Sequence, residues 1–252
     1  MKTTLPYLTA AALAVGTLAT AEAQIGIGLR GGILTTSEKI DDFDDASDTS
    51  AEVFDESNVT GWTIGIPIEI AISNVFSIQP ELNFQARGTE FTQLSTRGFG
   101  VGGADVRVLQ DFEQDINYLE IPLLFKLGYT TEKFTVAAVA GPSVSFALSG
   151  ERTFSNYRLE SEGTAIGPDI AQTVDIDFDR DGRKRVDFGG HLGAQFGIPA
   201  GPGKIMLDGR YQVGFTNLND GNDDNNTDID DYDATEQGFS LTLGYMITLG
   251  DY

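Results

Sequence analysis

The feature that most constrains this chain is an alternation of apolar with polar or small residues that recurs with period two. In Val75–Gly88 every even position from Phe76 to Ala86 is apolar, whereas the odd positions from Ser77 to Arg87 carry Ser, Gln, Glu, Asn or Arg. Gly61–Ser73 repeats the pattern. Successive side chains of a β-strand point to opposite faces, so each segment predicts a strand with one apolar and one polar face.

The same division applies to six further segments, which gives eight predicted strands. These segments begin near Ile25, Leu119, Phe134, Val186, Ile205 and Phe239. Short connections alternate strictly with long ones. The short ones lie near Ser73-Asn74, Thr130–Lys133 and Pro199–Gly203, and the long ones near Thr35–Asn58, Thr89–Asp115, Gly150–Lys184 and Asn219–Glu236. This order predicts an all-β fold, an eight-stranded antiparallel up-and-down β-barrel with both termini at the short-turn end.

Two kinds of barrel fit such a meander. A soluble, lipocalin-like barrel would turn the apolar face inward. Here the apolar faces consist of Ile, Leu, Phe, Trp and Val almost without interruption, and the opposite faces mix Gly, Ser and Thr with charges of both signs. A sheet in lipid must close on itself, and short turns opposite long loops are typical of outer-membrane barrels. The sequence therefore favours a transmembrane barrel with short periplasmic turns and long extracellular loops.

The N-terminal segment Met1–Ala23 has the features of a secretory signal peptide. Lys2 precedes the apolar run Leu8–Ala19, and Ala21-Glu22-Ala23 forms an A-x-A cleavage site. A membrane anchor is the alternative interpretation, but the run is shorter than the ~20 apolar residues that span a bilayer. We therefore expect export, cleavage before Gln24, and a barrel domain over residues 24–252 in the outer membrane.

Composition excludes several classes of function. With 16 Lys and Arg against 38 Asp and Glu the formal charge is −22, which argues against nucleic-acid binding. The chain has no cysteine, one histidine and no G-x-S-x-G motif, which argues against an enzyme. The four long connections hold 30 of the 38 acidic residues, so we expect acidic loops at one end of the molecule.

The polar faces predict the content of the lumen. Eight strands leave an interior just wide enough for side chains to fill, and charges there are tolerated when paired. The alternation sends four basic and five acidic side chains inward, with the single histidine beside them. This predicted lumen network comprises Arg30, Glu69, Glu81, Arg87, Glu120, Lys126, Asp187, His191, Asp208 and Arg210. We expect a salt-bridged plug, and the alternative is a narrow ion or proton path, as in a channel or transporter.

Acidic runs in the predicted loops include a partial calcium-binding pattern. Asp175, Asp177, Asp179 and Asp181 alternate along DIDFDRDG, and alternate carboxylates before a glycine can gather oxygen ligands around Ca²⁺. The pattern is incomplete, because Phe188 stands where an EF-hand has its bidentate Glu. The runs Asn219–Asp233 and Asp41–Asp48 are similarly acidic. The alternative is a solvated acidic surface suited to high salt. We predict no other cofactor.

Several runs resemble one known family. Tyr118–Lys126 (YLEIPLLFK) resembles a hallmark of the PorT-like outer-membrane β-barrel proteins of Bacteroidota, eight-stranded barrels of the OmpA/OmpX type. Four further runs are similar to pieces of that family in the same order: Ile27–Ile33 (IGLRGGI), Phe76–Gly88 (FSIQPELNFQARG), Ala140-Gly141-Pro142 and Tyr211–Asn217 (YQVGFTN). The resemblance covers the mature chain and implies an outer-membrane barrel, while most members have no assigned activity. The resemblance also implies a role in secretion or assembly. The loops of this chain are more acidic than expected for the family.

The expected partners follow from this location. Thr242, Gly244, Ile247 and Leu249 resemble the C-terminal signal that the barrel assembly machinery recognises, although Gly250–Tyr252 follow it. The apolar faces predict contact with outer-membrane lipid and lipopolysaccharide, and we expect a monomer. Any extracellular partner is unidentified by the sequence. Aromatic belts at the membrane interfaces are predicted to include Trp62, Tyr118, Tyr129 and Tyr245. The resulting hypothesis is a non-enzymatic barrel with a structural or surface-interaction role.

Overall fold

The fold was taken from a computed structural model of the chain. It describes residues 24–41, 51–98, 105–161, 164–165, 171–178, 183–218 and 233–249. The predicted signal peptide, residues 1–23, lies outside the described residues, as do most of the acidic runs at 41–48 and 219–233.

All regular structure in the described residues is antiparallel β-sheet. The strands are β1 (Ile25–Asp41), β2 (Ala51–Ala71), β3 (Phe76–Gly98), β4 (Asp105–Thr130), β5 (Thr135–Ser161), β6 (Thr164–Ala165), β7 (Gln172–Asp175), β8 (Val186–Ala200), β9 (Gly203–Gly214) and β10 (Asp233–Leu249). The part of the chain described here contains no helix long and apolar enough to cross a membrane.

Eight of these strands close into a ring. Their order is β4-β3-β2-β1-β10-β9-β8-β5, and β5 pairs again with β4. The first and last strands meet along the seam from Ile25↔Leu249 to Asp41↔Asp233. The short strands β6 and β7 pair with the end of β5, beyond the part of β5 that pairs with β8. Sequential neighbours pair throughout, which confirms the predicted up-and-down barrel.

The apolar faces point away from the ring. Side chains such as Leu192 and Leu243 are 64% and 60% exposed, whereas the residues beside them in sequence on the other face are largely buried. This apolar exterior is the surface that a bilayer would cover. Trp62 and Tyr129 lie on it, 51% and 63% exposed.

The position of Tyr118 differs from the predicted one. It was expected in an interfacial belt, but it is 1% exposed and lies inside the ring. The reason is strand alternation, because Tyr118 shares a face with inward-facing Glu120. A register irregularity beside it, between Asn117 and Tyr118, accompanies this placement.

The strands also extend further than predicted. Pairing between β3 and β4 continues to Gly98↔Asp105, and pairing between β4 and β5 continues to Val106↔Ser161. Strand β4 has 26 residues, whereas about 9–11 suffice to cross a bilayer. Much of the predicted long connections is therefore strand, and β2–β5 form a wall that continues past the apolar exterior at the long-loop end.

The opposite end has tight turns with local causes. Gly201 between β8 and β9 has φ +59°, a left-handed conformation that favours glycine. The other two turns are fixed by hydroxyl groups: the Ser73 Oγ accepts from the Phe76 N–H (3.1 Å), and the Thr131 Oγ accepts from the Phe134 N–H (3.0 Å).

Candidate functional site: the charged lumen

The polar faces of the eight ring strands meet inside the barrel. All members of the predicted lumen network are buried there: Arg30, Glu69, Glu81, Arg87, Glu120, Lys126, Asp187, His191, Asp208 and Arg210. The lumen is therefore filled with ionisable side chains, and the pairing among them determines whether the lumen is closed or can conduct ions.

The centre of the lumen is crossed by one bidentate ion pair. Arg210 on β9 donates from Nη1 and Nη2 to the two carboxylate oxygens of Glu81 on β3, each at 2.8 Å. These strands are four places apart in either direction around the ring of eight, so they lie opposite each other. The pair, called the central bridge below, thus joins opposite walls by direct contact.

Two further charged groups complete this level. Arg30 on β1 donates to Glu81 at 2.7 Å and pairs with Asp208 on β9 at 3.3 Å. Asp208 also lies 2.6 Å from Arg210, and Gln79 donates to Glu81 at 2.6 Å. Two guanidiniums and two carboxylates therefore balance at the centre, as buried charges require.

The level nearest the short turns is organised around Glu69 on β2. Its carboxylate accepts from Lys126 on β4 at 3.1 Å and from Lys204 on β9 at 2.8 Å. Ser77 on β3 also donates to it at 3.2 Å. Lysines from two walls therefore converge on one carboxylate at this end.

The level above the centre is organised around Glu120 on β4. Arg87 on β3 contacts it at 2.9 Å, the His191 Nε2 on β8 at 3.1 Å, and Gln85 at 2.7 Å. Arg87 reaches across to Glu236 on β10 at 3.0 Å. The central and upper levels are thus both spanned by arginines that contact carboxylates on distant strands.

Asn83 connects the two levels. Its amide donates to Glu81 at 3.2 Å and to Glu120 at 3.3 Å, while its oxygen accepts from Arg30 at 3.3 Å. Through this residue the central and upper levels form one continuous hydrogen-bonded network.

The mouth at the long-loop end of the barrel carries a further ion pair. Arg183, between β7 and β8, is buried and contacts the Glu38 carboxylate on β1 at 2.9 Å. Burial alone would lower the pKa of Arg183, but Glu38 and then Tyr118 outweigh it and raise the pKa above its ordinary value. Arg183 therefore stays charged and pairs with Glu38 at the mouth.

An apolar cluster lies beside this ion pair at the mouth. It comprises Ile116, Tyr118, Ala147, Ile176 and Phe178. The first three belong to the walls β4 and β5, whereas the last two follow β7 and turn inward. Arg87 lies 4.5 Å from the centre of the Tyr118 ring, so the apolar cluster rests directly on the upper charged level.

Four buried or partly buried charges were missed by the sequence analysis. They are Lys204, Glu236, Glu38 and Arg183. Alternation carried back from Phe239 would have found Glu236, because Glu236 shares the inward face with Ser240. Arg183 had no such signal, since it lies outside the long strands and is positioned by tertiary contacts.

The structure describes only half of the predicted calcium motif. Asp175 and Asp177 are exposed, the alternating Ile176 and Phe178 are buried, and Asp179 and Asp181 lie outside the described residues. Within the described ranges no three acidic or histidine side chains are grouped to hold a metal ion. The calcium site stays a prediction.

An acidic row does occur on the outer face of the extended wall. Asp115 on β4 stands opposite Glu151 on β5, and Glu151 stands opposite Asp175 on β7. All three side chains are exposed. Like charges directly opposite in paired strands repel one another, so this surface attracts cations.

Comparisons with known proteins place these features in a family. The family model described as "Outer membrane protein beta-barrel domain" matches residues 19–220. No curated protein matches the chain significantly.

Solved structures with a similar arrangement are distant. The attachment invasion locus protein Ail of Yersinia pestis, solved with a heparin analogue, is 14% identical over 90% of this chain and 99% of its own, with a TM-score of 0.36. OprG of Pseudomonas aeruginosa is 14% identical over 90% and 97%, with a TM-score of 0.34. The protease OmpT of Escherichia coli is 10% identical over 91% and 98%, with a TM-score of 0.35.

Proposed function

This chain belongs to the outer membrane protein beta-barrel domain family, and from that premise we propose that it is a non-enzymatic barrel with a closed lumen. It resides in the outer membrane after removal of Met1–Ala23. Its role is structural or one of surface interaction, carried by the acidic extracellular end. The PorT-like motifs at Tyr118–Lys126 and elsewhere support a finer placement among barrels of Bacteroidota.

The observation that carries this proposal is the central bridge. A direct contact of 2.8 Å between side chains from opposite walls leaves no water layer between them. The charges at this level balance, so ions of either sign meet a neutral, bonded barrier rather than the one-sided lining of a selective pore. A lumen filled in this way supports a stable barrel rather than diffusion.

The acidic outer row supports the surface-interaction role. Asp115, Glu151 and Asp175 present three carboxylates side by side above the apolar exterior. Such a surface attracts cations in general or a partner with a basic face. The remaining long connections are also rich in acidic residues.

A narrow conducting path is the second candidate. The observation in its favour is the continuity of the network, in which Asn83 connects the ionisable groups of the central and upper levels. Ion or proton transfer along this chain would require the central bridge to open. A secretion-associated barrel is a further alternative that uses the same inward charges.

Single-channel recording in planar bilayers tests the proposal. The refolded chain is expected to give no steady conductance, with or without millimolar Ca²⁺, because the central bridge stays closed. Reproducible openings of the unmodified chain would contradict a closed lumen and favour the second candidate. A large porin recorded in the same membranes controls for detection.

A further inference from the structure

The segment that follows the barrel's fifth strand turns into the extracellular mouth. Strand β7 pairs with β5 from Phe154↔Gln172 to Glu151↔Asp175, and the Ile176 N–H then donates to the Gly150 carbonyl at 2.8 Å. Ile176 and Phe178 are each 7% exposed and pack on the wall. Two apolar side chains of this segment therefore occupy an apolar surface of the barrel.

Arg183 occupies a charged surface next to it. Its Nη1 contacts both Glu38 carboxylate oxygens, at 2.9 and 3.2 Å, and Tyr118 and Glu236 also act electrostatically on the same guanidinium. Arg183 is 8% exposed although it belongs to none of the long strands. A guanidinium therefore fills an acidic recess that the walls β1, β4 and β10 provide.

The barrel strands carry more acidic than basic side chains at this level. Glu38, Glu120, Asp187 and Glu236 are all buried there, with Arg87 as the wall guanidinium and His191 beside Glu120. The Asp187 Oδ1 is buried and accepts no hydrogen bond from the described residues. Removing Arg183 would leave Glu38 without its described ion-pair partner beside three other buried carboxylates, so the recess favours a second cation in addition to Arg87.

The occupying side chains are held more weakly than the walls. Four residues of β7 pair with β5, whereas the ring strands pair along most of their length. Segments with few paired residues and few buried side chains open at much lower free energy than the whole fold. Opening of this segment should therefore cost less free energy than unfolding of the ring.

We propose that the extracellular mouth is a binding site for an amphipathic cation, and that the chain's own Ile176, Phe178 and Arg183 lie in that site in this structure. The ligand class follows from the occupants: an apolar or aromatic group against Ile116, Tyr118 and Ala147, and a guanidinium or similar cation against Glu38 and Glu236. A ligand that binds the emptied site shifts the chain toward the open form. The inference does not depend on a closed lumen, because the mouth lies above the central bridge.

Thiol labelling in the cysteine-free chain tests this directly. Ile176→Cys places a thiol at the buried contact, and Asp177→Cys places one on the exposed side of the same segment as the matched control. The probe is N-acetyl-Phe-Arg-amide, and its neutral isostere is N-acetyl-Phe-citrulline-amide. At ten times its Kd for the open form, the cationic probe should raise the labelling rate of the Ile176→Cys variant about elevenfold.

The supporting and contradicting results are distinct. Support requires faster labelling of Ile176→Cys with the cationic probe, no effect of the neutral isostere, unchanged labelling of Asp177→Cys, and loss of the acceleration when Glu38→Gln is added. Equal labelling of Ile176→Cys with and without millimolar probe, or an equal effect of the isostere, would overturn the proposal.

Calorimetric titration without a cysteine substitution provides the second measurement. Arg183→Gln should bind the cationic probe more tightly than the unmodified chain, because the internal competitor is gone. Weaker or absent binding in Arg183→Gln would overturn the proposal. Bilayer recordings with the probe should stay silent, and openings there would contradict the closed lumen without bearing on the mouth site.

Discussion

Glu81→Gln is the substitution that tests the central bridge most sharply. It keeps the shape of the side chain and removes the negative charge that two arginines share, at 2.7 Å from Arg30 and 2.8 Å from Arg210. Arg30 and Arg210 would then face Asp208 alone, with two positive charges against one.

The magnitude follows from burial and distance. Unit charges ~4 Å apart attract by about 4 kcal/mol at an effective dielectric constant of ~20. Part of that attraction offsets the cost of burying Glu81, which is 3% exposed. Removing one partner of a buried pair leaves the other uncompensated and costs about 3–5 kcal/mol. We therefore expect Glu81→Gln to lower the free energy of unfolding by about that amount.

Equilibrium unfolding in urea with lipid vesicles, followed by tryptophan fluorescence, measures the effect. Adding Arg210→Met should restore part of the loss, because Arg30 and Asp208 then balance, with a coupling energy of about 2 kcal/mol in the double-mutant cycle. Glu132→Gln in an exposed turn is the control and should change stability by less than about 0.5 kcal/mol. A loss below about 1 kcal/mol for Glu81→Gln, additive with Arg210→Met, would refute a dry bridge across the lumen.

Three other substitutions or probes test separate parts of the account. Trp62, the sole tryptophan, lies on the apolar exterior, so brominated lipids should quench its emission strongly and aqueous iodide weakly; the reverse order would contradict its place in the membrane. Gly141→Val would drive a Cβ into a carbonyl oxygen of β4 and should abolish the heat-modifiable folded band on a gel, whereas the outward Ala140→Val should retain it. Glu151→Lys places a cation between two carboxylates of the acidic row and should stabilise the barrel by about 0.5–1 kcal/mol in urea unfolding, while Glu132→Lys, with the same charge change, should not.

The strands and their faces were predictable because their signal is local. From Phe76 to Ala86 apolar and polar side chains alternate, so the type of each residue indicates which face of the strand it lies on. The extension of β3 to Gly98 and the early start of β4 at Asp105 could not be predicted. A strand outside the membrane has no apolar face to mark it. Its pairing depends on the partner strand.

The inward charges were predictable as a set, but their partners were not. Arg210 and Glu81 are 129 residues apart, and their contact depends on the register of several intervening strand pairs. Glu236 was reachable by extending the alternation of β10, whereas the position of Arg183 depends on its tertiary contact with Glu38 on β1. Residues positioned by register or by loop packing therefore require the three-dimensional structure.

Paired bilayer recordings of the unmodified chain and of Glu81→Ala/Arg210→Ala test the closed lumen most directly. The account predicts silence from the unmodified chain and discrete openings from the double variant, because both ends of the central bridge are then gone. Heat-modifiability of both proteins on a gel confirms that each is folded. Steady openings of the unmodified chain, of the same size as those of the variant, would contradict the account.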